Sequence, residues 1–159
     1  MTKKEDDEEF KALCTLIGAM ALSWAWAEIC LGVTVGIINK YAGPLKNYSE
    51  APLMLGKRVK YLREALNKLT VLNPVKKDGL ALAERFMQLR DSRNHFIHGA
   101  AWKHADGSFQ FTNMGIVAGN YTFKDKGLNI TDAIELNIKI GKLSDDASAY
   151  MSRVTALFS

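Results

Sequence analysis

The sequence predicts an all-α fold: a four-helix-type bundle with a short β-hairpin or extended loop between the third and last helices. Three observations predict it. Apolar residues recur at helical spacing in four segments, Gly and Pro punctuate their boundaries, and 48% of the 159 residues are hydrophobic, enough for one core. No repeat, low-complexity tract or linker interrupts the pattern, so residues 1–159 are expected to form a single helical domain.

The first helix is expected to run from about Glu5 or Phe10 to about Lys40, where a Gly-Pro pair follows. Its apolar residues extend nearly all the way around, which predicts burial on most sides. Leu13–Ile38 is also long enough to span a membrane. However, Glu28 in mid-helix would cost about 2 to 4 kcal/mol in a bilayer, and the other helices would lose a packing partner. We therefore expect no membrane insertion.

The N-terminus and the cysteines predict a cytoplasmic location. Lys3 and Lys4 precede the acidic run Glu5–Glu9 rather than the apolar core of a secretory signal. Cys14 and Cys30 fall in the first predicted helix, about 24 Å apart at 1.5 Å per residue, too far for a disulfide. A reducing compartment fits this arrangement. The net charge of +4 permits a polyanionic partner without demonstrating one.

Pro52 suits the first turn of a second helix, and Asn73-Pro74 should end it. The apolar face of this helix repeats at four-three spacing, through Leu55, Val59, Leu62, Leu66 and Leu69. Its other face is basic and carries Lys57, Arg58, Lys60 and Arg63. These four cations form either a solvated surface or a stripe that follows the phosphates of RNA.

Asp78 is expected to cap a third helix, which Gly99 should end. Its core-facing stripe contains Leu82, Phe86 and Leu89 and ends on a charged residue, Arg93. After Gly99, the segments Trp102–His104 and Phe109–Phe111 flank Ala-Asp-Gly-Ser and predict the hairpin or extended loop, with an Asp-Gly turn. The following Gly-rich stretch, through residues 121–127, is expected to be irregular.

Asp132 and Glu135 have the three-residue spacing of a capping box and predict the start of the last helix. Apolar residues then recur along one face, at Leu136, Ile140, Leu143, Ala147, Met151 and Val154. This face should complete the core of the helical domain.

The end of the third helix, residues 90–99, holds the densest collection of polar and titratable groups in the chain. At 100° per residue, Asn94 and His98 lie only about 40° apart, and Arg93 is on the adjoining edge of the same face. One helix can thus present all three groups to one cleft.

These three residue types suit the cleavage of an RNA phosphodiester. Neutral imidazole can take the proton from a ribose 2′-hydroxyl, and imidazolium can return one to the departing 5′-oxygen. Arginine can stabilise the extra negative charge of a phosphorane, and asparagine can orient either partner. Because RNA brings its own nucleophile, no metal or cofactor is required. An acid and a base are both needed, which suggests a second histidine from a two-fold dimer, or one histidine acting in sequence.

Arg93-Asn94-x-x-x-His98 followed by Gly99, near the end of a buried helix in a small helical protein, resembles the signature of the HEPN superfamily (higher eukaryotes and prokaryotes nucleotide-binding domain). The resemblance implies a helical bundle over the whole chain and a homodimer that brings two motifs together. It also implies metal-independent endoribonuclease activity, with Arg93 and His98 catalytic and Asn94 supporting. Many members act as toxins or in antiviral defence, which implies a cognate antitoxin or regulatory protein as a further partner.

Arg90 precedes the motif and His95 lies within it, and both are expected to contact RNA together with the basic face of the second helix. Glu28 would be costly if buried alone, so it is expected to pair with Arg93, either to position that guanidinium in the cleft or to fix helix register. Trp24, one turn before Glu28, is expected to pack in the core rather than stack on a base.

Two other interpretations of the same residues stay open at this point. His98 at a helix end also suits a purely structural role beside the C-terminal dipole. The alternative to an enzyme is a catalytically silent HEPN-like dimer that binds RNA or protein. A zinc site built from His95, His98 and His104 is disfavoured, because H-x-x-H is a poor ligand pair on a helix and no carboxylate or thiol has a usual spacing.

Overall fold

The computed structural model describes residues 3–43, 45–104, 109–117, 120–128 and 130–159. The chain is mostly helical and also contains a three-stranded antiparallel sheet. In chain order the elements are α1 (Lys3–Tyr41), α2 (Leu55–Lys68), a 3₁₀ helix (Thr70–Val75), α3 (Lys76–His98), β1 (Ala100–Lys103), β2 (Phe109–Val117), β3 (Asn120–Leu128) and α4 (Ile130–Leu157).

The chain divides into two compact units. The first contains the start of α1, the end of α3, the sheet and the start of α4, within Met1–Leu22 and Arg90–Ile140. The second contains the rest of α1, α2, most of α3 and the end of α4, within Ser23–Leu89 and Gly141–Ser159. The predicted catalytic motif lies in the first unit, and the predicted basic face lies in the second.

Helix α1 matches its predicted extent within a few residues. Trp24 is completely buried, with its ring edge-on to Phe86 at 5.8 Å, so its predicted core role is confirmed. Among the residues that the structure describes, the helical segment Glu8–Tyr41 contains an 18-residue stretch, with a mean hydropathy of 1.7, that is apolar enough to cross a membrane. Buried helices of soluble proteins share this length and composition, and 39% of that apolar stretch is buried.

Helix α2 begins at Leu55 rather than at Pro52. The Pro52 carbonyl accepts a hydrogen bond from Arg58 Nε at 3.1 Å, while the backbone hydrogen bond from Arg58 N–H goes to Met54 O, two residues after Pro52. At the other end, Pro74 lies inside the 3₁₀ helix, which leads directly into α3. The predicted apolar face is correct at Val59, Leu62 and Leu66, which are buried, whereas Leu55 is half-buried and Leu69 follows the end of the helix.

Helix α3 begins at Lys76, two residues before the predicted cap. Asp78 is instead in the first turn, where its carboxylate accepts a hydrogen bond from Arg153 of α4. In α4, Asp132 likewise lies in the first turn rather than before it. The predicted buried face of α4 is correct except at one point, where Tyr150 is buried and Met151 is partly exposed.

The sheet is larger than the predicted hairpin. Strands β1 and β2 pair with Trp102 opposite Gln110, as expected for two runs joined by a turn, although residues 105–108 lie outside the described residues. The irregular stretch predicted over residues 121–127 is wrong, because this segment forms β3 and pairs along the whole of β2. The long strand β2 therefore lies between β1 and β3.

Candidate functional site

The end of α3 is anchored to β2 by aromatic packing. Phe96 is buried and lies edge-on to Phe111, with ring centroids 5.1 Å apart. Gly99 ends the helix in a tight space, since a Cβ there would lie 2.5 Å from the His95 carbonyl oxygen and 3.2 Å from Asn113 Oδ1. A side chain at this position would clash with the last turn of α3 itself, which explains the glycine.

His95 is held by both ring nitrogens. Its Nε2 lies 3.3 Å from the Phe111 carbonyl oxygen, which can only accept, so Nε2 carries the proton and donates. Its Nδ1 lies 2.9 Å from Asn113 Nδ2 and accepts from that amide, which also donates to the His95 carbonyl at 3.1 Å. This assignment is the neutral tautomer with the proton on Nε2. His95, a predicted RNA contact, is therefore committed to joining α3 to β2.

Arg93, Asn94 and His98 lie together, as the helical spacing predicts. Arg93 Nη1 donates to Asn94 Oδ1 at 2.7 Å and lies 3.5 Å from His98 Nε2. Arg93 and Asn94 are half-buried, whereas His98 is exposed on the last turn of α3. The guanidinium is thus held by its neighbour in sequence and directed toward the histidine.

The direction of the Arg93–His98 contact determines what the histidine can do. A guanidinium N–H only donates, so His98 Nε2 faces it with its lone pair, which places the ring proton on Nδ1. In this arrangement Nε2 is a base beside a permanent positive charge. An exposed base next to a cation can bind a phosphate and accept a proton from a neighbouring hydroxyl.

Glu28 lies in the second unit, and its carboxylate accepts a hydrogen bond from the Trp24 indole N–H. This bond explains how a half-buried acid is accommodated on an apolar helix. The predicted Glu28–Arg93 pair takes one residue from each unit, and it stays a prediction.

Two of the predicted RNA-binding cations on α2 are used within the chain. Arg58 donates to the carbonyls of Pro52 and Glu28, and its guanidinium covers Gly32, where a Cβ would lie 3.0 Å from Arg58 Cζ. Arg63 forms an ion pair with Glu84 at 2.6 Å. Their geometry is that of groups that fasten α2 to its neighbours.

The remaining predicted RNA-binding cations are Lys57, Lys60 and Arg90. Lys57 and Lys60 are exposed and line an open cavity of about 730 Å³ beside residues 47–54. Arg90 pairs with the adjacent Asp91 at 2.9 Å, and the two side chains are 39% and 78% exposed. An exposed pair of this kind opens easily, because it contributes little to stability.

Asn113 is the site residue that sequence reasoning missed. Its only sequence signal is a polar residue within an alternating strand, which is typical of a solvent-facing position. Asn113 contacts His95 only because β2 packs against the end of α3, and the sequence of α3 alone does not show this contact. Among the described residues, no group of three or more His, Cys, Asp or Glu side chains is placed to hold a metal ion.

Comparisons with protein-family models, with curated proteins and with solved structures found no match to this chain. The resemblance to HEPN proteins therefore rests on the Arg93-Asn94-x-x-x-His98 motif, its place at the end of a helix and the mostly helical fold.

Proposed function

We propose that this protein is an endoribonuclease of HEPN type, in which His98 and Arg93 act on the phosphodiester without a metal ion. The observation that carries the proposal is the contact between Arg93 Nη1 and His98 Nε2 on an exposed helix end. It supports the proposal because it sets a general base beside a phosphate-binding cation.

In the proposed reaction, the Arg93 guanidinium turns from His98 to the phosphate, and the freed His98 Nε2 takes the proton of the ribose 2′-hydroxyl as the 2′-oxygen attacks phosphorus. Arg93 stabilises the additional negative charge of the phosphorane, and Asn94, which accepts a hydrogen bond from the guanidinium, orients it. The bond between phosphorus and the 5′-oxygen breaks, and an imidazolium donates a proton to that oxygen. The products are a 2′,3′-cyclic phosphate and a 5′-hydroxyl end.

A homodimer would provide separate acid and base histidines, one from each protomer. Exposed apolar residues on α1 support self-association: Trp26, Ile29 and Val33 recur at three-four spacing and are 50%, 52% and 44% exposed. Such a stripe along a helix is typical of a helix–helix contact. The HEPN resemblance further implies that two copies of Arg93 and His98 lie near a two-fold axis, and this is part of the proposal.

The proposed setting is the cytoplasm, with RNA as the substrate. Use in a toxin or defence system, with an antitoxin or regulatory protein as partner, follows from the HEPN resemblance and is part of the proposal. The net charge of +4 is compatible with a polyanionic substrate.

The proposed function is tested by incubating the purified protein with a broad panel of RNAs and the matching DNAs in excess chelator. RNA should be cut to cyclic-phosphate ends, and DNA should survive because it lacks the 2′-nucleophile. A folded, dimeric protein that leaves every RNA intact would overturn the enzyme and favour a silent binding module.

A further inference from the structure

We propose that the cavity between α3 and α4, lined by residues from segments 78–85 and 146–153, binds a free α-amino acid with an apolar side chain. The cavity measures about 270 Å³ and belongs wholly to the second unit. It shares no residue with the Arg93–Asn94–His98 motif, so the proposal goes beyond the ribonuclease and does not depend on it.

The two helices line this cavity with the same pattern of residues. Each segment begins with an aspartate and ends with an arginine seven positions later, and an alanine followed by a large apolar residue lies between them. The residues are Asp78, Ala81, Leu82 and Arg85 on α3, and Asp146, Ala149, Tyr150 and Arg153 on α4. Arg85 pairs with Asp146, and Arg153 pairs with Asp78. Each end of the cavity therefore carries one guanidinium and one carboxylate.

The middle of the cavity is apolar and has room for a small side chain. Leu82 and Tyr150 form its floor and are only 4% and 3% exposed. Ala81 and Ala149 also line it and are exposed, and because their side chains are short they leave the space open to solvent. Since one water molecule occupies about 30 Å³ in the liquid, the cavity holds about nine groups of that size. This is the size of free leucine or methionine.

The charges of the lining favour a ligand that carries both signs. Two arginines and two aspartates balance each other, so the net charge of the cavity selects neither an anion nor a cation. A free α-amino acid has a carboxylate and an ammonium group on the same carbon atom, and a neighbouring arginine and aspartate can bind both at once. The end of a peptide chain carries only one of these two charges, so it matches the cavity less well.

The Arg85–Asp146 end is the better site for the charged head of the ligand. In the described part of the chain, Arg85 donates only through Nη1, and Asp146 is contacted only at Oδ2, by Arg85 and at 3.9 Å by Lys142. Arg85 Nη2 is thus left to donate to a carboxylate, and Asp146 Oδ1 is left to accept from an ammonium group. Arg153, by contrast, uses both terminal nitrogens within the chain, one of them on the Pro74 carbonyl. The apolar side chain of the ligand would then lie along the cavity floor.

The experiment titrates the ¹⁵N-labelled protein, without RNA, with L-leucine and follows the amide chemical shifts of segments 78–85 and 146–153. A ligand of about nine atoms should bind with a Kd on the order of 0.1 to 1 mM. N-acetyl-L-leucine lacks the ammonium group, L-leucinamide lacks the carboxylate, and glycine lacks the side chain. Each should bind at least about tenfold more weakly, since each loses one of the three contacts. These analogues test the proposal on the unaltered protein.

Variants test the same contacts from the side of the protein. Arg85→Gln and Asp146→Asn should each raise the Kd for L-leucine by about ten- to a hundredfold, the range for losing a hydrogen bond to a charged group. Ala149→Leu keeps both ion pairs but fills the cavity, and it should abolish binding. Arg63→Gln breaks the ion pair with Glu84, which also joins two helices but lies outside the cavity, so it is the matched control and should leave Kd unchanged.

The inference is overturned if L-leucine causes no saturable shift in the two segments, or if N-acetyl-L-leucine binds as tightly as L-leucine, because the cavity would then take simple anions. It is also overturned if Arg85→Gln and Asp146→Asn both bind within twofold of the parent. Since no RNA is present, a failure here leaves the proposed ribonuclease unaffected. A protein that binds L-leucine but cuts no RNA defeats the ribonuclease alone.

Discussion

Arg93 Nη1 lies 3.5 Å from His98 Nε2, and the same guanidinium nitrogen donates to Asn94 Oδ1 at 2.7 Å. The contact spans five residues within the last turns of α3, so it needs no other part of the chain to form. A permanent cation therefore faces the lone pair of an exposed imidazole, and an oxyanion entering beside them would accept hydrogen bonds from the guanidinium.

Alanine variants of His95 and His98 should distinguish a structural histidine from an exposed one. His95→Ala removes the bond to the Phe111 carbonyl and leaves the Asn113 amide without its nitrogen acceptor, which should cost about 1 to 3 kcal/mol of unfolding free energy. His98→Ala, at an exposed position, should cost less than about 1 kcal/mol. Urea unfolding measures both. Equal losses for the two variants would show that the structural assignment of His95 is wrong.

The apolar stripe of α1 should hold the dimer. The parent should sediment as a dimer at micromolar concentration, and Ile29→Lys should weaken the dimer at least about tenfold by placing a charge in its contact. Leu53→Lys, at an 83% exposed position outside the helix, is the control and should remain dimeric. A monomeric parent, or an Ile29→Lys variant that dimerises normally, would argue against this surface.

Gly79 and Gly141 should respond oppositely to alanine. A Cβ at Gly79 in α3 would lie 2.2 Å from the Tyr150 hydroxyl oxygen and 2.7 Å from Leu66 Cδ1, so Gly79→Ala should cost about 1 to 3 kcal/mol through overpacking. A Cβ at Gly141 in α4 meets nothing within 4 Å, and Gly141→Ala should stabilise by about 0.5 to 1 kcal/mol through helix propensity. Thermal unfolding distinguishes the two, and a stabilised Gly79→Ala would refute the close packing.

Tyr150 and Tyr61 are both buried, but their hydroxyls differ. The Tyr150 hydroxyl has no hydrogen-bond partner among the described residues, whereas the Tyr61 hydroxyl donates to Asn39 Oδ1 at 3.3 Å. At neutral pH, Tyr150→Phe should therefore be neutral or stabilising, and Tyr61→Phe should cost about 0.5 to 1.5 kcal/mol. Denaturant titration of the two variants gives the comparison. A clear loss in Tyr150→Phe would mean that the hydroxyl has a partner.

The same tyrosine gives a pH dependence. Burial raises the pKa of the Tyr150 hydroxyl above its ordinary value, so the folded state keeps its proton at a pH where the unfolded chain has lost it. The parent therefore keeps its full free energy of unfolding below about pH 10. That free energy falls as the pH rises further, because the unfolded chain loses the tyrosine proton first. The stability advantage of Tyr150→Phe over the parent should thus grow above pH 10. An advantage that is constant across the alkaline range would contradict this.

The helices could be predicted from the sequence because their signal is local. Each helix buries a face whose residues recur every three or four positions, and this pattern is visible without knowing the partner. Helix ends were less certain. Pro52 looks like a helix start, but its carbonyl is taken by the Arg58 side chain, and the 3₁₀ helix around Pro74 extends α3 backward past Asp78.

The sheet and the His95–Asn113 part of the site depend on partners distant in sequence. Strand β3 carries charged and glycine residues that resemble a loop, and it is a strand because β2 offers it a complete ladder. Asn113 and the role of His95 follow from that ladder, so neither could be read from the motif. The Arg93–Asn94–His98 grouping was predictable because one helix determines its geometry.

The central claim is that His98 supplies the acid–base chemistry of RNA cleavage. It is tested most directly by the rate of cleavage of one sensitive RNA in excess chelator, measured for the parent and for His98→Ala at equal dimer concentration. A folded His98→Ala variant should be slower by about 10² to 10⁴, the range for losing general acid–base help. A variant that cuts at the parental rate, or a parent that does not cut at all, would contradict the claim.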